Sequence, residues 1–499
     1  MVVGEPSRYF RDQGFHGPGE FYEEKRTRTK ILLFGANDGM LHALDAATGK
    51  ELWGFVPPAL LKDLKRMASE HAYYVDASPK VADVWFYGSE DDDQKTKDEW
   101  RTLLVCGLRK GGRSYFALDI TDTANPKFLW QFPKSDDAVT AAKMGESWSE
   151  PALGRVKIEK NGKLVERWVA LIGGGFDGTE GLGEAKVGRA FWVIDVTNGE
   201  TIKEFSYEGG LTGMKHSFPA SPAAVDANFD GFVDRVYLGD LGGQMWVFDL
   251  SYDVIKKKSN SLWTARTLFK APQVSPEKHP IYYQPAVAFD VQGTPSVFFG
   301  TGDRENPTDK NSKERFYAVK DDAVTQKDFE GYPYAENKLR NVTNTNTYRP
   351  ADIEVDQNNT LVKNPDIKGW YVELAPSEKV LARPAVFEHL VYFTTYYYSD
   401  PELCKIGGES RLYVVEYLSG GSAIDFSDAI YASGLGTPKQ SRRYTVIGGG
   451  APSAPLITID LAGRPSITIG TTTGQISAQV PFYHPRRVKP IYWRDFTRR

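Results

Sequence analysis

The sequence predicts an all-β fold, a β-propeller of about seven blades made mostly of four-stranded antiparallel sheets. Three observations point there: a proline-marked apolar segment that recurs along the whole chain, a set of short apolar runs ending in glycine, and a composition of strand and turn formers. The recurring segment begins with a small or polar residue and proline, at Ser78-Pro79, Glu150-Pro151, Ser221-Pro222, Gln284-Pro285, Arg383-Pro384 and Ala454-Pro455. The prolines are spaced by 72, 71, 63, 99 and 71 residues, which is a period with one long insertion. A period of this length marks a repeat architecture, so the 499 residues read as a single propeller domain over 1–499 and not as several unrelated domains.

Each proline is followed by a second apolar run that ends in glycine: LLVCG at 103–107, VALIGGG at 169–175, RVYLGD at 235–240, SVFFGTGD at 296–303 and SITIGT at 466–471. An alternating strand commonly comes next, as in SYFALDI at 114–120, AFWVIDV at 190–196 and QMWVFDL at 244–250. A fourth segment often carries tryptophan or phenylalanine, as at 128–132 and 201–205. One such small sheet cannot bury both of its faces alone and must stack on its neighbours around an axis. The first repeat is visible at 30–57 with its opening strand reduced to 1–6, and the last is expected to end with IYWRDF at 491–496. The long interval contains an Asn-, Thr- and Asp-rich stretch at about 331–369, which reads as an inserted surface excursion.

Composition agrees with this and narrows the function classes. Aromatic residues make up 13% of the chain beside 47 glycines and 29 prolines, with no long helical tract. A net charge of -4 gives no overall electrostatic footprint for nucleic acid or anionic lipid. No run of eighteen apolar residues occurs, so no transmembrane segment is expected. The two cysteines, Cys106 and Cys404, read either as separate thiols or as one long-range disulfide. Seven histidines lie scattered without metal-binding spacing, and no GxSxG occurs, so neither zinc chemistry nor a serine hydrolase is supported. The glycine clusters at 173–175, 242–243 and 448–450 precede no helix and are read as places of close strand approach. The tyrosine-rich run FTTYYYSD at 393–400, with Tyr413 and Tyr417, would expose several aromatics if its side chains alternate.

One motif carries chemistry. The fourth repeat reads Asp226-Ala-Asn228-Phe-Asp230-Gly231-Phe232-Val-Asp234, with side-chain oxygens at positions 1, 3, 5 and 9 and glycine at 6. Calcium takes six to eight hard oxygen ligands, and alternate side chains of a tight loop can all point inward while glycine permits the sharp turn. The Phe232 carbonyl at position 7 would add a ligand, and Asp234 would take the bidentate role that glutamate holds at position 12 of an EF-hand. Here position 12 is Tyr237, inside a strand-like run. The alternative is an Asp/Asn/Gly turn that bends without metal, although three aspartates within nine residues repel one another unless a cation is present.

The segment Ala43-Leu-Asp45-Ala-Ala-Thr48-Gly49-Lys50-Glu-Leu-Trp53 matches the AxDxxTGxxxW blade motif of quinoprotein dehydrogenases, in which the tryptophan packs between blades; it recurs in worn form at 117–130 and 193–205. Taken in order, GANDGMLHALDAATGKELW, WRTLLVCGLRKGGRSYFALDITD, SWSEPALGRV, ASPAAVDANFDGFVDRVYLGDLGGQMWVFDL and FFGTGDRENP resemble the C-terminal propeller of the PilY1/PilC family of type IV pilus proteins. The resemblance runs from before Gly35 to Trp493 and does not include the family's N-terminal region. It implies a calcium-binding propeller module of a pilus biogenesis factor and tip adhesin. Such a protein is exported to the pilus tip or outer-membrane surface, engages minor pilins and the pilus machinery, attaches to host or abiotic surfaces, and regulates extension, retraction and twitching motility. It also implies Ca²⁺ as the ligand of Asp226, Asn228, Asp230, the Phe232 carbonyl and Asp234. No Arg-Gly-Asp occurs, so integrin binding is not carried over. A binding module and no enzyme is the expectation; the alternatives are a quinone-cofactor dehydrogenase propeller and a scaffold whose calcium loop merely braces a blade.

Overall fold

The structure, a computed structural model, describes the chain apart from residues 68, 88–93, 182, 253–261, 273–277, 325–331, 345–349, 356–359, 401–406, 423–442, 461–464 and 480–499. Strands dominate it, and each proline of the repeat stands immediately before the opening strand of a sheet. The missing amide of proline falls where the strand has not yet begun to pair, so the ladder loses no donor. The first sheet joins Val2–Val3, Ile31–Gly35, Leu41–Asp45 and Glu51–Phe55. The second joins Lys80–Trp85, Trp100–Gly107, Tyr115–Asp119 and Lys127–Phe132, and the third Ala152–Lys160, Lys163–Gly173, Ala190–Asp195 and Thr201–Ser206. The fourth follows with Ala223–Val225, Arg235–Gly239, Gln244–Asp249 and Thr264–Lys270.

The fifth sheet orders Ala286–Phe289, Pro295–Gly300, Arg315–Lys320 and Gly369–Glu373, and the sixth is built on Ala385–Phe387, Leu390–Tyr397, Glu409–Glu416 and Tyr444–Gly449. Three described strands, Leu456–Ile459, Pro465–Gly470 and Ile476–Gln479, make the seventh. The stretch expected at 491–496 to complete it lies outside the described residues. The long insertion falls between the third and fourth strands of the fifth sheet. There Arg340–Asn341 adds a parallel edge strand beside Gly369–Glu373, and Ile353–Val355 pairs with Leu361–Lys363 as a separate hairpin.

The chain groups into two compact units, the first containing Met1–Leu238 and the second resuming at Arg266. In the first, Leu33, Leu41 and Ala43 of the first sheet pack with Leu104, Cys106 and Phe116 of the second. Val105, Ala117 and Trp130 of the second then pack with Ala170, Trp192 and Ile194 of the third. In the second unit, Phe298, Phe316 and Trp370 of the fifth sheet meet Val391, Phe393 and Tyr413 of the sixth. The sixth sheet's other face brings Tyr392, Leu412 and Val414 against Ile467 and Ile469 of the seventh.

Sheets stacked on both sides bury both faces of their inner strands. Ala190–Asp195 and Pro295–Gly300 are therefore buried at every position, and the glycine-ended runs read as continuous apolar stretches. The same stacking corrects the expectation for the tyrosine-rich run. Phe393 is fully buried, with its ring 3.8 Å from Phe316 and 4.7 Å from Tyr413, and Tyr396, Tyr413 and Tyr417 are buried as well. Alternation exposes a residue only when one face of the sheet meets water, and here neither does.

Two tryptophans of the blade motif, and Trp370 on the corresponding strand of the fifth sheet, lock consecutive sheets. Trp53 Nε1 donates to Thr123 O at 2.9 Å, Trp130 Nε1 to Val196 O at 2.7 Å and Trp370 Nε1 to Tyr417 O at 3.0 Å. Each indole thus leaves the fourth strand of one sheet and caps a carbonyl just past the third strand of the next. The motif's aspartate shapes its own turn: Asp45 Oδ1 accepts from the amides of Ala47 and Thr48, and Asp195 Oδ1 from Thr197. Gly199 is required in the third sheet's version, because a Cβ there would lie 2.9 Å from the Trp130 ring.

Candidate functional site

The loop 226–234 joins the first two strands of the fourth sheet, which pair antiparallel with Val225 opposite Arg235. That register brings the loop's ends together: Asp234 N donates to Val225 O at 2.8 Å. Asp226 and Asp234 are 2% and 5% exposed, whereas Asn228 and Asp230 lie at the surface and Phe232 is half-buried.

The chain between the two buried aspartates winds around their carboxylates. Asp226 accepts from the amides of Asp230 (3.0 Å) and Gly231 (2.7 Å), and Asp234 Oδ2 from those of Ala227 (2.8 Å) and Asn228 (3.2 Å). Asn228 Oδ1 accepts from Asp230 N and Asp230 Oδ1 from Phe232 N, both at 2.9 Å. Turning so tightly needs left-handed backbone at Phe229 (φ +63°) and Gly231 (φ +93°).

Distant residues wall the loop in. Arg155, on the first strand of the third sheet, accepts Val233 N at its own carbonyl (2.7 Å) and donates from Nε to Gly231 O (3.2 Å). Its guanidinium is engaged by Asp12 at 3.0 Å. Tyr252 donates its hydroxyl to Asp230 Oδ2 at 3.0 Å. Burial, then that carboxylate, pushes the phenol up to about 12. Neither Arg155 nor Tyr252 is signalled by the loop's sequence, because both arrive from elsewhere in the chain.

The electrostatics are unfavourable to the loop as it stands. Burial raises the Asp234 carboxyl to about 6, the negative charges of Asp230 and Asp226 push the same way, and the amide bonds only partly oppose them. Asp226 is raised by burial and by Asp230 for the same reasons. Among the described residues, neither of the two buried carboxylates makes an ion pair.

The loop therefore collects three carboxylates, one amide oxygen and the Phe232 carbonyl, an all-oxygen donor set that suits a hard divalent cation in a site of adaptable geometry. No three carboxylate, imidazole or thiol groups among the described residues already converge on a common point; the loop carboxylates are held by backbone amides instead. The fit to a cation rests on the donor chemistry and on buried negative charge without a counter-ion.

The remaining motifs are structural. His216 bonds Glu180 at 2.7 Å and His279 bonds Glu314 at 3.2 Å, pairs inside the fold. Gly174 lies where a Cβ would be 2.1 Å from Gly188 O, the close backbone approach expected of the cluster at 173–175. Cys106 is a free, fully buried thiol whose pKa burial raises; Cys404 lies outside the described residues. Among the described residues no helix is long and apolar enough to cross a membrane.

Residues 12–331 match the family described as the PilY1 beta-propeller domain. Over 517 aligned residues the chain is 26% identical to a type IV pilus biogenesis factor PilY1 homolog of Xylella fastidiosa, covering 100% of this chain and 38% of that protein. It is 34% identical over 236 residues to the type IV pilus biogenesis factor PilY1 of Pseudomonas aeruginosa, covering 46% of this chain and 18% of that one. The chain thus spans well under half the length of these relatives. A crystal structure of the Pseudomonas aeruginosa PilY1 C-terminal domain matches with a TM-score of 0.66 at 23% identity, over 96% of this chain and 99% of that one. By sequence and by fold, the chain belongs to the PilY1 β-propeller domain family.

Proposed function

We propose that this chain is the calcium-binding propeller module of a type IV pilus biogenesis factor, exported to the cell surface or pilus and working by binding, not catalysis. The observation that carries the calcium reading is the pair of buried carboxylates, Asp226 and Asp234, that the fold desolvates without giving either an ion pair. Asp226, Asn228, Asp230 and Asp234 with the Phe232 carbonyl would hold the ion, and neutralising the two buried charges would favour one conformation of the loop. A ligand that stabilises one conformation can regulate a binding surface without chemistry. Attachment to pilus machinery and minor pilins, adhesion and control of twitching are part of this proposal, supported by the family to which the chain belongs.

Calorimetric titration of calcium into chelator-treated protein, run beside Asp234→Ala, tests the site: one binding event is expected in the parent and none in the variant. Heat of equal size in both would reassign the ion elsewhere. The reading of a non-switching brace draws on the amide bonds that already close the loop. It predicts that cells carrying Asp234→Ala, expressed at the parent's level, keep normal pilus extension and twitching, whereas the regulatory reading predicts their loss.

A further inference from the structure

The whole chain carries a net charge of -4, yet cations concentrate on one surface of the first unit. A short 3-10 stretch, Pro58–Asp63, runs into a single α-turn, Leu64–Met67. The segment anchors by burying Leu60 in the cluster that holds Tyr74, Val75 and Leu108. With Leu60 inward, its neighbours point out: Leu61 is 53% and Leu64 47% exposed, and Lys62, Lys65 and Arg66 stand exposed beside them.

The turn after Trp100–Gly107 brings further cations to the same surface. Leu108 O accepts from Asp76 N at 3.2 Å, and a Cβ on Gly111 would fall 1.7 Å from Tyr74 O, so glycine lets this turn lie directly on residues 73–76. Lys110 Nζ comes 5.7 Å from the ring of Tyr73, itself 52% exposed, and Arg113 is exposed. The stretches 58–67 and 109–113 together carry six cations and one acid, Asp63, which pairs with Arg66 at 3.4 Å. Within residues 69–78, which lie against both stretches, the acids are Glu70 and Asp76, and Asp76 is taken by Arg109 at 2.8 Å. A whole-chain average conceals this concentration because the stretches are more than forty residues apart in sequence.

We propose that this surface docks on an anionic lipid layer. Leu61, Leu64 and Tyr73 enter the boundary between headgroups and acyl chains, and Lys62 and Lys65 meet the phosphates. Exposed leucines ringed by lysines, with an amphipathic aromatic beside them, are the chemistry of an interface. A protein groove would ask for apolar anchors over several helical turns, and here there are only two leucines one turn apart. Lysine ammoniums, as compact point charges, suit mobile phosphates that offer no fixed bidentate geometry.

The test is co-sedimentation of the whole chain with phosphatidylcholine vesicles, with and without phosphatidylglycerol. Binding is expected only with phosphatidylglycerol and should weaken as salt rises. Each lysine near such a surface contributes about fivefold, so Lys62→Glu/Lys65→Glu should lower partitioning by more than about twentyfold. Leu61→Ser/Leu64→Ser should lower it while leaving the salt dependence. All four positions are exposed, and an unchanged melting temperature confirms that the variants fold. Asp234→Ala should bind vesicles as the parent does, which separates this surface from the calcium loop. Equal binding to both vesicle types, no binding, or full binding by the double lysine variant would overturn the proposal. Retention on an acidic polypeptide without vesicle binding would assign the surface to an acidic protein and overturn it equally.

Discussion

Replacing Asp234 by asparagine should stabilise the metal-free protein and weaken the calcium-loaded one. The carboxylate is 5% exposed, and burial raises its pKa from 3.8 to about 6. The folded state therefore holds the proton more tightly than the unfolded state does. The stability this contributes is fully present below about 3.8 and is lost as pH rises through about 6. Above that, keeping the charge buried costs the native state ~3 kcal/mol. Asparagine retains an oxygen for the amides of Ala227 and Asn228 and carries no charge, so in chelator at pH near 8 the variant should gain up to that amount. Its stability should also lose the fall with pH that this group causes. With calcium present at about a hundredfold excess over a dissociation constant of roughly 10⁻⁴ M, the parent gains ~2.7 kcal/mol, and the variant should forfeit most of it. Unfolding by denaturant at acidic and mildly basic pH, with chelator and with calcium, reads all four corners. A variant less stable than the parent in chelator at pH near 8 would refute the reasoning, since it would mean the native fold already compensates the charge.

Three further outcomes follow from particular contacts. Trp130→Phe removes the donor to the buried Val196 carbonyl and should cost about 1–3 kcal/mol, while Trp130→Ala adds a cavity between the second and third sheets and should cost about 3–5 kcal/mol, both read by chemical denaturation. Glu378 is fully buried and accepts from Arg411 (2.8 Å) and Tyr413 (2.9 Å). Glu378→Ala should therefore destabilise by about 3 kcal/mol, and Glu378→Met/Arg411→Met should recover much of that loss in the same assay. Gly231→Ala places a Cβ 2.6 Å from Arg155 Nη2 at a left-handed φ of +93°, and should weaken calcium binding by roughly tenfold in calorimetry through a strain of about 1–2 kcal/mol.

Much of the fold was legible because the repeat writes its own punctuation. Every Xaa-Pro pair of the period stands before an opening strand, and the runs ending in glycine are the second strands that follow. The place of the loop 226–234 between two strands was equally legible, since its Asp, Asn and Gly residues lie within nine positions between two apolar runs. The tyrosine-rich run was misread because alternation reports burial on one face only, whereas Leu390–Tyr397 is covered on both. The basic surface around Leu61 and Lys110 had no sequence signature, as its two halves meet only through the packing of Leu60, Tyr74 and Leu108.

The sequence by itself determined the period, the strand content and the chemical identity of the loop's oxygens, because each depends on residues close together in the chain. Only the tertiary structure decided that Asp226 and Asp234 are buried while Asn228 and Asp230 face water, that Arg155 braces the loop from the third sheet, and that the indoles of Trp53, Trp130 and Trp370 each find a carbonyl on the following sheet. Desolvation and long-range hydrogen bonding depend on what packs against a residue, and those neighbours come from sheets tens to hundreds of residues away.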